Sequence, residues 1–289
     1  MCGFDRLTNR PKPEWRGALA DKAQIDVASL EAISFGPPDD RRGVFRGVVL
    51  PSNVFDGRGA AARRVCPRCL AESPHHRAIW DLSFIAICPI HSVELLNQCC
   101  SCGLWLGWFG RDLTRCGRRR EICKGGDLTA MPATSVSEED ARGTRTVHGL
   151  LGDERFRAEV DHVRRLAPFL DLRDGDITEF LYRLGLEVMG GRSKIFSTEQ
   201  PGDLAYEAHR ALTLGLTAAE RWPGGFYEVL DSMRRRSAST TLAGLRKYVA
   251  PVERWLDQLP DDHGGVLREA VRAYRQAAEA RAPEKEALA

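Results

Sequence analysis

Cys66-Pro67-Arg68-Cys69 and Cys88-Pro89-Ile90-His91 carry the strongest chemical signal in the chain. Each stretch holds two metal-ligating side chains two residues apart, and eighteen residues separate the two. A two-residue gap lets the backbone turn tightly, so that both donors reach one ion while amides point at the sulfurs. Two such turns supply the four tetrahedral ligands of a closed structural site. Thiolate and imidazole together favour zinc over hard cations.

A second set follows at Cys99, Cys102, Cys116 and Cys123, with Cys100 as a spare thiol. Cys99-Cys100-Ser101-Cys102-Gly103 has knuckle spacing and a glycine that permits the turn. Cys116 and Cys123 are six residues apart and form no knuckle of their own. Two outcomes stay open: a second complete zinc site, or a degenerate one with free thiols.

The elements that must hold these residues belong to a chain of 289 residues, 43% hydrophobic and 28% charged, enough for one large or two to three small domains. With no signal peptide at Met1 and no apolar run of membrane-spanning length, the expected setting is cytoplasmic, away from any membrane. In a reducing compartment nine cysteines point to metal rather than to a disulfide framework.

The formal charge of +2 is unevenly spread. Between Arg41 and Lys124 there are fourteen Lys/Arg against six Asp/Glu. Such an excess fits a surface facing phosphates, with a solvated arginine face as the bland alternative. The candidate DNA-contacting side chains are Arg63, Arg64, Arg68, Arg111, Arg118, Arg119 and Arg120.

The periodicity predicts a mainly α fold with a small zinc-ribbon or zinc-finger module and a multi-helix C-terminal part. Residues 1–60 read as a short helical N-terminal region, with a helix over Glu14 to Ile33 and a strand in Val44 to Pro51. Residues 61–131 form the cysteine module, in which Trp80, Leu82 and Phe84 fill the small core. Residues 132–289 begin at a helix start near Ser135 or Ser137 and continue as a helical C-terminal domain. Its helices are expected at Glu139–Leu151, Glu154–Leu170, Asp176–Met189, Gly202–Arg221, Gly225–Arg235, Thr241–Leu259 and Val266–Arg281. His75, His76, His148, His162 and His209 have no ligand or catalytic pattern beside them and read as surface or core histidines. No phosphate-binding loop, nucleophile elbow, His-Glu-x-x-His or deaminase motif is present, and a four-ligand site leaves no open position for a reacting water. The expectation is therefore a protein without catalytic residues.

The stretch from Arg64 to Gly103 combines Cys-Pro-x-Cys-Leu-x-Glu, Arg-x-x-Trp and Cys-Pro-x-His with a further Cys-x-x-Cys-Gly, and it resembles the TniQ family. Ala211 to Met233, with Trp222-Pro223 before an aromatic-led helix, is similar to a second pattern of that family. The likeness covers roughly Ala61 to Met233. The family's usual opening helical stretch, Glu-Ser-x-x-Ser-Trp, is not found, which leaves the first part of its domain in question. "ICKGGDL" is similar to a closing Cys-x-Cys-Gly-x-Asp-Leu in which Gly125 replaces the second cysteine, leaving Cys116 to supply the missing thiolate.

The resemblance implies a zinc-binding adaptor for transposition that helps select a target site and recruits an AAA+ ATPase and transposase. Its partners would be DNA or a nucleoprotein target complex, a CRISPR effector complex among them, with a homodimer left open. Base readout would belong to a C-terminal helix such as "TTLAGLRKYV". The competing reading is a stand-alone zinc-ribbon DNA-binding transcriptional regulator.

Overall fold

The computed structural model describes residues 13–33, 42–51, 63–108, 112–118, 121–190, 201–237 and 242–280; within these, the side chains of 13–14, 31–33, 42, 201–207, 237 and 242–248 are not described. Arg111, Arg119, Arg120, and the side chains of "TTLAGLRKYV" ahead of Val249, lie outside the described residues.

The expected N-terminal helix is two helices, α1 (Pro13–Ala23) and α2 (Val27–Ile33). Gln24 takes a φ of 55°, and the Asp26 carboxylate accepts from the Ser29 amide at 2.8 Å. Asp26 thus caps a new helix where the apolar spacing alone suggested continuity. The single strand expected over Val44 to Pro51 is a hairpin. β1 (Arg42–Phe45) pairs antiparallel with β2 (Val48–Pro51), Phe45 opposite Val48. Arg46 and Gly47, at φ 50° and 81°, make the two-residue turn whose twist suits such hairpins.

The cysteine module contains one short helix, α3 (Pro67–Glu72), and a small hairpin of β3 (Ile87–Cys88) and β4 (Val93–Glu94). After it come α4 (Arg142–Leu150), α5 (Arg157–Val163), α6 (Asp174–Val188), α7 (Pro201–Glu220), α8 (Gly224–Ser237), α9 (Leu242–Leu256) and α10 (Gly265–Ala280). Ser137 accepts from the Asp140 amide at 3.0 Å, so the turn leading into α4 starts at the residue type the sequence marked. The expected helix over Glu154–Leu170 is instead a 3-10 turn, α5 and a second 3-10 turn at Ala167–Phe169. Pro168 disfavours α geometry in the residue before it and supplies no amide, which ends the helix early.

Two apolar clusters hold these elements. The first gathers Trp80, Leu82 and Phe84 of the cysteine module with Phe45 and Leu50 of the hairpin, Val147 of α4, Tyr182 and Leu186 of α6, and Ala211 and Leu212 of α7. It runs continuously across position 131. The loop after Met131 is itself pinned to the module, since the Glu94 amide donates to the Thr134 carbonyl and the Val136 amide to that of Ser92, at 2.9 and 2.8 Å. The second cluster joins α6 to α8, α9 and α10 around Phe180, whose ring lies 5.7 Å from Phe169, 6.1 Å from Phe226 and 5.5 Å from Trp255. Helix α6 serves both clusters and is buried almost all round, as a helix between two cores must be.

α6 and α7 approach backbone to backbone. A Cβ on Gly185 would lie 1.7 Å from the Ala211 carbonyl oxygen, and one on Gly215 would lie 1.9 Å from that of Leu181. No other residue type fits either position without moving a helix.

Candidate metal centres

The first centre is built at the N-terminus of α3 and the turn of the β3–β4 hairpin. Cys66 is the N-cap of α3, its sulfur taking the Cys69 amide at 3.5 Å, and Pro67 occupies the first turn, where its missing N–H costs nothing. Cys88 ends β3, and His91 lies in the turn before β4. The donors converge: Cys66 Sγ and Cys69 Sγ lie 3.5 and 3.3 Å from His91 Nδ1, Cys88 Sγ lies 3.7 Å from it, and Cys69 Sγ is 3.6 Å from Cys88 Sγ. A tetrahedron with metal–sulfur bonds of about 2.3 Å and a metal–nitrogen bond of about 2.0 Å has edges of about 3.5 to 3.8 Å. The residues therefore fit an ion of zinc's size and geometry. The three thiols are buried. Without a cation they cannot all ionise together. The hydrogen bonds from the Cys69 and Cys88 thiols, helped by the Cys69 amide, that lower Cys66 to about 2 leave Cys69, hydrogen-bonded to Cys66 and Cys88, pushed far up.

Sequence reasoning missed one participant. Glu72 closes α3 three residues after Cys69, on the same helix face, and its Oε1 lies 2.7 Å from His91 Nε2. A carboxylate on the outer nitrogen fixes the tautomer that leaves Nδ1 free to ligate, and it raises ligand basicity. The signal was present in Cys-Pro-x-Cys-Leu-x-Glu, because the i, i+3 relation of Cys69 and Glu72 brings both to His91, the thiol to Nδ1 and the carboxylate to Nε2.

The second centre joins Cys99, Cys102, Cys116 and Cys123, whose sulfurs all lie within 4.8 Å of one another, with Cys99–Cys123 and Cys102–Cys116 each at 3.9 Å. Cys116 thus completes the set. Neither Cys116 nor Cys123 belongs to a two-cysteine knuckle, yet each sits in its own tight turn with a glycine at positive φ: Gly117 at 68° and Gly125 at 85°, matching Gly103 at 69° after Cys102. Those turns point amides at sulfur. The Gly126 and Gly125 amides hold the Cys123 thiol down to about 7, whereas burial pushes Cys116 up to about 12. Cys100 is exposed and stands outside the set.

Arg63 and Arg64 are a correction to the expected phosphate-contacting surface. They are 1% and 5% exposed. Arg64 donates to the carbonyls of Leu82, Ser83 and Ile85 at 2.8 to 3.2 Å, tying down the loop before β3. Arg63 donates to the carbonyls of Gly107, Leu113 and Arg115 in the second centre's loops. One dipeptide therefore holds loops of both centres from inside, and its charges are spent on backbone oxygens rather than on a surface. Arg68 is exposed on α3, and Arg118 is half-buried with Nε donating to the Trp105 carbonyl at 2.5 Å.

Three of the histidines face a carboxylate, two of them only five residues further along the chain. His76 meets Asp81 at 2.9 Å between the rings of Trp80 and Trp108, and His162 meets Glu220 at 2.9 Å. His148 is buried with Nδ1 3.6 Å from Asp153.

Fold and site define a helical protein assembled around a compact module with two four-donor centres suited to metal ions. Residues 4–95 match the model of the TniQ family, a family of non-catalytic adaptors in transposition. The match includes the N-terminal region, which the motifs had left outside the likeness, and takes in the whole first centre. It ends before the second centre and the helices beyond. No curated protein matches the chain. Among the described residues no helix is long and apolar enough to cross a membrane.

Proposed function

We propose that this chain is a zinc-binding adaptor in DNA transposition, one that helps select the target site and recruits the AAA+ ATPase and transposase. The observation that carries the reading is the first centre: a complete donor set of three cysteines and one histidine, with its outer carboxylate, inside the segment that matches the TniQ family. Zinc bound there, and at the four-cysteine centre, would act as a cross-link, fixing loops with too little apolar surface to hold themselves. This chain's own residues do the rest. Arg63 and Arg64 tie the loops of the two centres into one body, and the shared core with α4, α6 and α7 carries that body on the helical part.

Nucleic-acid contact falls to exposed cations, of which Arg68 is the retained candidate beside the first centre, with Arg118 next to the second. Arg111, Arg119 and Arg120 stay in the proposal on charge alone. The test combines two measurements on protein purified without added metal. Elemental analysis should give about two zinc ions per chain. DNA binding across a salt series should show a slope that becomes shallower in Arg68→Ala, while a loss of affinity in that variant without any change of slope would count against direct phosphate contact. Folded, zinc-free protein would overturn the reading. A tight preference for one DNA sequence with no response to the ATPase would favour the transcriptional regulator.

A further inference from the structure

Between α6, α8 and α9 lies a cleft of about 380 Å³, within the range of natural ligand sites, which run from about 300 to 1,000 Å³. Its floor is Phe180, Leu184, Phe226, Val229, Met233 and Trp255. Such a floor suits an apolar side chain. Trp255 is 3% exposed, and its indole Nε1 has no hydrogen-bond partner. That N–H is closed off from solvent, so Trp255 lines the cleft with the apolar part of its ring.

The rim has its own sign. Arg183 and Arg254 line the cleft together with Glu187. Arg183 is paired with Glu179 at 2.7 Å, and Glu187 is already taken by Arg236. Arg254 is exposed and enters no ion pair among the described residues. The rim thus keeps Arg254 as an exposed cation without a carboxylate of its own among the described residues, and a basic segment would be repelled from it.

We propose that this cleft is a docking site for a short acidic segment of a partner protein. The segment inserts a Leu, Met or Phe side chain against Phe180, Phe226 and Trp255. Its acidic flank meets Arg254 and Arg183 at the rim. The site depends on the packing of α6, α8 and α9 and on neither metal centre, so it stands or falls apart from the transposition reading.

The test uses the full zinc-loaded chain and three fluorescein-labelled heptapeptides: one with Leu and Phe among Asp and Glu, one with the acids replaced by Lys, and one with Leu and Phe replaced by Ala. Only the first should raise the anisotropy at micromolar protein. Arg254→Glu, a surface change that leaves the core intact, should weaken it about tenfold or more. In protein labelled with 15N-tryptophan, one indole N–H resonance should shift on binding, and that resonance should be missing from Trp255→Phe. Equal binding of the Lys or the Ala peptide, no binding of the first, or indifference to Arg254→Glu would overturn the proposal. A dimer in sedimentation that Arg254→Glu dissociates would assign the cleft to a second copy of the chain and overturn it equally.

Discussion

Removing the Glu72 carboxylate should weaken metal binding at the first centre without removing any ligand. Glu72 Oε1 sits 2.7 Å from His91 Nε2, while the Glu72 side chain is 60% exposed. Outer-shell partners of ligating histidines are worth about 10- to 100-fold in metal affinity. Exposure places Glu72 at the low end, because water takes over part of the hydrogen bond and screens the charge. Glu72→Ala should therefore cost about tenfold, or about 1.4 kcal/mol. Glu72→Gln keeps an acceptor oxygen and loses the charge, so its loss should be smaller. Alanine is a good helix former, and α3 retains its Cys66 cap, so neither variant should unfold the module. The assay is competition against a chromophoric zinc chelator, with 15N spectra of the imidazole to report the tautomer. Wild-type affinity in both variants, with unchanged His91 nitrogens, would refute the positioning argument. A drop to a single zinc per chain would show that Glu72 does more than orient.

Gly185→Val should lower the melting temperature on the order of 10 °C, since its Cβ would fall 1.7 Å from the Ala211 carbonyl oxygen; Gly17→Ala, with open space around it, should be neutral. Chelating both ions should abolish the near-ultraviolet signal of the first core, where Trp80 is buried, while far-ultraviolet helicity falls only in part because α8 to α10 pack in a separate cluster. Simultaneous loss of both signals would mean that the two clusters unfold as one unit. Acid should also destabilise the protein through His148 and Asp153. Burial holds the His148 imidazole below its ordinary value of 6.5 despite Asp153; burial would raise Asp153, but contacts with His148 and Arg155 outweigh it and leave the carboxyl well below the usual range. Both groups bind fewer protons when folded, so their contribution is whole above about pH 6.5 and declines as pH falls, first at His148 and then through Asp153's depressed value. In zinc-saturated buffer, His148→Leu should flatten the fall of melting temperature between about pH 6.5 and 5, and an unaltered pH profile would remove His148 from the account.

The first centre was legible because its ligands come in local pairs. Two residues between donors fix a turn whatever the rest of the chain does, so Cys66, Cys69, Cys88 and His91 could be named from spacing alone. The helices from α6 to α10 were legible for a similar reason: their 3.6-residue periodicity and their Pro, Gly and Asp boundaries are local properties, and their observed limits lie within a few residues of those expected. Where the reading slipped at α1–α2 and around α5, a local competitor was present, the Asp26 cap in one case and Pro168 in the other.

Tertiary structure alone decided the remainder. Arg63 and Arg64 look like surface charge in sequence, and only the folded chain reveals that backbone carbonyls some twenty to fifty residues away consume them. Cys116 and Cys123 share no local motif, so their partnership with Cys99 and Cys102 depends on loops brought together from across the module. The same holds for the His91–Glu72 contact, for α6 passing between two cores, and for the cleft beside Trp255. Spacing along the chain specifies turns and periodic faces, because these are settled within a few residues. Which distant backbone oxygen receives a buried guanidinium, and which loops close around a second ion, follow from packing that every element contributes to at once.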